Sequence, residues 1–141
     1  MPYKKDKGFN LTEILVVVII IAILVILSLP RYTETRERAL AREAIANLKL
    51  ISVAEKIYHM KLSTYWPTSG NQETNPETIG AELKLSLTEM NWDYLISGGT
   101  DSVTAYANRT TGPYLGKCSY LATINQTYSF GSEPTKGSGC P

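Results

Sequence analysis

From Ile14 to Leu27 the chain runs without a polar residue, and Lys4, Lys5 and Lys7 stand just ahead of it. No other feature restricts the fold as strongly. An exposed loop is excluded. Taken as a helix from Phe9 to Pro30, the segment measures about 33 Å at about 1.5 Å per residue. That matches a hydrocarbon core of about 30 Å. The cationic start then predicts an N-terminus in the cytoplasm and everything after Pro30 on the far side of the membrane. A cleaved secretory signal fits less well, because Ser28-Leu29-Pro30-Arg31-Tyr32 closes the run with no small-x-small site.

One residue at the mouth of this segment breaks its character. Glu13 is ionisable, and a charge inside a spanning helix costs about 2.5–3.5 kcal/mol when central and less near an end. Its placement calls for a cationic partner.

The remaining sequence narrows the function classes. With 141 residues and a formal net charge of +1, the chain is one domain's worth plus an N-terminal extension, and its interspersed charges offer no patch for nucleic acid. The two cysteines, Cys118 and Cys140, form no CxxC or Cys/His group, which leaves a disulfide or two free thiols. The single histidine, His59, lies between Tyr58 and Met60 in a helical stretch and reads as structural. No nucleophile and base can be paired, and no EF-hand-like loop is present, so the expectation is no enzyme, no metal and no cofactor. Asn108-Arg109-Thr110 and Asn125-Gln126-Thr127 match the N-glycosylation pattern, which is read here as coincidence.

Past Pro30 the stretch to Leu62 holds neither Gly nor Pro. Leu40, Ala44, Leu48, Ile51, Tyr58 and Leu62 recur every three or four residues or in multiples of that spacing, a core-facing stripe that Ala39, Ala46, Val53 and Ile57 are expected to widen. Pro67 and Gly70 stop the helix. Asn75-Pro76-Glu77 predicts an N-cap and a short helix to about Leu85. "WDYLISGG", "SVTAYANRT" and "CSYLATINQTYSF" alternate apolar and polar residues between turns, which predicts three or four antiparallel strands.

The basic leader, Gly8, Phe9-Asn10-Leu11-Thr12-Glu13 and the apolar helix together resemble the class III signal of type IV pilins and pseudopilins. Asn10, Thr12 and Ala22 depart from the residues usual there, while Pro30 falls at the family's familiar proline. The resemblance implies an α+β fold in which a long N-terminal helix, transmembrane then amphipathic, packs on a small antiparallel sheet. It also implies a leader at 1–8, an assembly helix at 9–30 and an exported head at 31–141, with helix 31–62, loop and short helix 63–90, and sheet 91–141. A prepilin peptidase would cut between Gly8 and Phe9, the new Phe9 amine would be methylated, and Glu13 would meet the Phe9 amine of a neighbouring subunit. The implied partners are further copies of the chain in a helical filament, the peptidase and methyltransferase, the inner-membrane assembly machinery and the membrane. The implied location is the bacterial inner membrane before assembly and an extracellular pilus after it. In this frame Cys118 and Cys140 resemble the C-terminal disulfide of many true pilins, worth about 3 kcal/mol in the loop-entropy view. A pseudopilin of a type II secretion system is the alternative. Some pseudopilins hold calcium at the strand-rich end, where Asp93 and Asp101 would be the donors, but the expectation remains no metal. Whether the helix melts between Ala22 and Pro30 in a filament is open.

Overall fold

The computed structural model describes residues 10–68, 70–87, 91–127, 132–137 and 139–140, and within them the side chains of residues 28–31 lie outside the description. The chain divides into two compact units, one ending at Glu37 and the other beginning at Arg38. Helix α1, Leu11–Leu62, contributes to both.

In the second unit α1 ends where Ser63 adopts a left-handed conformation (φ 55°) and donates its backbone N–H to the His59 carbonyl at 2.8 Å. His59 and Lys61 occupy the last turn, where positive charge suits the helix dipole. Helix α2, Pro76–Leu83, starts as its sequence predicts: the Asn75 side chain accepts from the backbone N–H of Glu77 at 2.9 Å and of Thr78 at 3.4 Å, with proline in the first turn. It stops at Lys84, which turns left-handed.

Strands β2 (Trp92–Gly98), β3 (Ser102–Arg109) and β4 (Ser119–Asn125) pair antiparallel in sequence order. Two strands of two residues each complete the sheet in the order β1-β2-β3-β4-β5: β1, Gln72–Glu73, beside β2, and β5, Thr135–Lys136, beside β4. Against the expected three or four, the described residues form five strands, and β1 falls in the stretch expected to hold only loop and helix. At the end of β2, a Cβ on Gly98 would sit 2.6 Å from the Thr68 carbonyl oxygen, so the segment ahead of β1 passes too close to admit a side chain there.

The core lies between the sheet's inner face and one face of α1. Register places Tyr94, Ala107 and Tyr120 in one row and Ile96, Ala105 and Ala122 in the next, so bulky and small residues interleave. Ala44, Leu48, Ile51 and Ala54 of α1 close over them, and Trp92 Nε1–H donates to the Leu40 carbonyl at 2.9 Å.

The stripe differs from expectation on its flank. Ala39, Ala46, Val53, Ile57 and Leu62 are exposed, whereas Ala41, Ile45, Ser52, Ala54 and Glu55 turn inward. Apolar spacing locates the centre of a buried face, but which flank is covered depends on where the sheet ends. Ser52 tolerates burial because its hydroxyl donates to the Leu48 carbonyl at 2.7 Å.

This difference is measurable. Ile51→Ala, at a fully buried site, should cost about 3 kcal/mol in denaturant unfolding of the detergent-solubilised chain, and Val53→Ala, 38% exposed, less than about 1 kcal/mol. Equal losses would restore the stripe expected from spacing alone.

Candidate functional site

Among the residues expected to act, Gly8 and Phe9 lie outside the described residues. Pro30 falls within α1, and its side chain is outside the description. Glu13 is described. It sits in the first turn of α1, where the unpaired backbone N–H groups favour an acid. Asn10 begins that turn: its carbonyl accepts from the Glu13 N–H at 2.9 Å and the Ile14 N–H at 3.3 Å, and its side chain from the Thr12 N–H at 3.4 Å. Asn10, a departure from the usual signal, is therefore a competent N-cap.

Beyond Glu13 the apolar residues up to Leu27 are solvent-exposed among the described residues. Every large apolar residue from Leu11 to Leu27 is exposed, by between 46% at Val17 and 78% at Leu11. Among the described residues no single helix is long and apolar enough to cross a membrane. Leu11–Leu27 and Tyr32–Leu62 pass such a test of length and composition only when taken together. Phe9, at the start of the expected 9–30 span, lies outside the described residues, and at its end the side chains of residues 28–30 do.

A second exposed apolar surface occurs on the head. Leu50, Val53, Ile57 and Leu62 of α1, with Leu83 and Leu85 at the end of α2, line a groove of about 420 Å³. Lys61, Glu82 and Lys84 stand among its lining residues.

Cys118 and Cys140 lie at disulfide-bonding distance, with Cα atoms 4.5 Å apart. His59 stacks on Tyr65 at 4.4 Å between ring centroids. Asp93 and Asp101 are exposed, and among the described residues no three His, Cys, Asp or Glu side chains converge as metal ligands.

The sequence reading passed over Glu55. It is fully buried; Oε2 accepts from the Trp66 backbone N–H at 3.1 Å, and Oε1 meets no hydrogen-bond partner among the described residues. Burial raises its carboxyl to about 7, with the Trp66 bond pulling the other way. Neighbouring Tyr65, whose buried hydroxyl also has no hydrogen-bond partner among the described residues, is raised from its ordinary value by burial and then by the charge on Glu55. The signal was present as a gap: the stripe steps from Ile51 to Tyr58, and position 55 completes the three-four spacing. Glu55 thus fastens the segment leaving α1, at the cost of a carboxyl that is easiest to bury when protonated.

No protein-family model matches the chain, and no curated protein or solved structure does.

The raised Glu55 carboxyl sets a direction for stability against pH. Its folded value exceeds the unfolded 4.5, so its contribution is complete below about pH 4.5 and is lost as pH rises through about 7. The shift corresponds to about 3 kcal/mol. Glu55→Gln should flatten this dependence between pH 5 and about pH 8 in chemical unfolding. An unchanged slope in the variant would place the titration elsewhere.

Proposed function

We propose that the chain is a structural subunit of a type IV pilin-like filament, inserted in the membrane by its N-terminal helix, cut after Gly8 and polymerised through that helix. The observation that carries this reading is the uncovered apolar surface of Leu11–Leu27, with Glu13 as the one ionisable residue in it. A surface of that size in one chain calls for hydrocarbon or for other copies of itself. Glu13 near the helix start is suited to receive the amine that cleavage would create at Phe9 of a neighbour. A desolvated ion pair of this sort fixes register more than it adds stability. The groove formed by α1 and α2 supplies a second apolar contact, unlike the first. Unlike surfaces on one subunit join head to tail and extend into an open helix when the rotation does not close.

The C-terminal Cys118–Cys140 pair favours the surface pilus over the type II secretion pseudopilin, because such a loop resembles that of many true pilins. In either role the head is exported, polymerises with its own kind and performs no catalysis.

Replacing the native chain by Glu13→Ala tests this reading. The surface fraction sheared from cells should lose the subunit roughly tenfold, about 1.4 kcal/mol of association, while the membrane fraction retains it. An unchanged surface yield contradicts the assembly role of Glu13. Retention of the native chain in the envelope, with loss of exported proteins when it is deleted, points to the secretion alternative.

A further inference from the structure

The described part of the head exposes large apolar side chains in two places. Leu50, Val53, Ile57, Met60 and Leu62 lie on α1, and the remaining one, Leu115, is 60% exposed in the turn between β3 and β4. That turn is built before it meets anything. The Leu115 N–H donates to the Gly112 carbonyl at 3.2 Å and the Gly116 N–H to the Arg109 carbonyl at 3.1 Å. Lys117 and Cys118 both donate their N–H groups to the Tyr114 carbonyl, at 3.0 and 3.1 Å. Tyr114 packs on the core, and Cys118 is buried in it. The backbone that presents Leu115 therefore has little freedom to lose on contact.

Leu115 and the groove of α1 and α2 lie at opposite ends of the head. The turn continues from Arg109, which pairs with Trp92, and Trp92 is bonded to Leu40. The groove takes residues from the 50–62 stretch of α1, where Lys56 donates to the Gln126 carbonyl, beyond the other end of β4, at 3.2 Å. From Leu40 to Ile57 the helix advances about 26 Å. Leu115 is thus out of reach of its own groove, but a second copy displaced along the helix axis brings the two together. The polar residues agree with that placement. Lys117 is exposed two residues after Leu115, and Glu82 is the one carboxylate lining the groove; neither has an ion-pair partner among the described residues. Lys61 and Lys84 also line the groove, and their stems can cover apolar surface while the ammonium groups stay in water.

We propose that Leu115 is a docking knob that enters the α1–α2 groove of a second copy, with Lys117 beside that copy's Glu82. The inference rests on the filament reading and names the contact between heads. The two surfaces differ, so each copy gives its knob to one neighbour and its groove to another, and the series stays open. Such a contact is small. It acts on subunits already gathered by their apolar helices, where the effective concentration of the second surface is high.

The test places the photoreactive residue p-benzoylphenylalanine at position 115 of the full chain in cells and maps its cross-links by mass spectrometry in the sheared surface fraction. The expected product is a ladder of dimers and longer species, joined from position 115 to peptides that carry Val53, Ile57 or Leu85. Two variants are measured beside it. Leu115→Asp should lower the surface yield about tenfold while the membrane fraction keeps the chain, because a substitution at an exposed site leaves the fold intact. Leu115→Met should leave the yield unchanged. A chain that is cut after Gly8 and fills the surface fraction, yet cross-links from position 115 only elsewhere or tolerates Leu115→Asp, would overturn the knob and leave the filament reading in place. A surface fraction that lacks the chain would overturn both.

Discussion

A helix that is apolar around its whole circumference has no face to offer water, and Ile14–Leu27 is such a segment. Much of the molecule's organisation follows from that constraint. The head has to complete its own core without it, and does so with Ala44, Leu48, Ile51 and Ala54 of α1 against the inner rows of three strands. The apolar segment is the surface that the proposed membrane insertion and assembly would cover. Glu13 is tolerated there because it sits in the first turn, where the helix dipole offsets part of its cost and Asn10 has already begun the helix.

Within the head, specificity rests on a few polar anchors set into an apolar interface. Trp92 reaches the Leu40 carbonyl, Asn47 donates to the Tyr94 hydroxyl at 2.7 Å, and Glu55 accepts from Trp66. The first two join α1 to β2 and fix how the helix face sits on the sheet, and the third joins it to the segment that leaves the helix. Glu55 is the costly member, a buried carboxyl with only one oxygen satisfied among the described residues.

Most of the architecture was legible because it is written in side-chain patterns. The Asn75-Pro76 start of α2, the alternation along Trp92–Gly98, Ser102–Arg109 and Ser119–Asn125, and the unbroken helical stretch before Ser63 all show in the amino acids themselves. What escaped has no such pattern. β1 and β5 are backbone pairings of two residues, Gln-Glu and Thr-Lys, whose side chains are those of any loop. The covered flank of α1 is decided by where the sheet ends. Glu55 was missed because a carboxylate in an amphipathic helix is by default assigned to water, although its position on the stripe argued the reverse. Of the proposed assembly site, Glu13 and the apolar helix were evident at once, while the groove beside α2 required the fold.

The central claim is that this chain is processed and built into a filament through Leu11–Leu27, and the most direct measurement is the intact mass of the protein in sheared surface filaments and in membranes. A surface fraction dominated by a chain that begins at a methylated Phe9, with Cys118 and Cys140 oxidised, is the expected result. A chain that keeps Met1 to Gly8 in every fraction would contradict it.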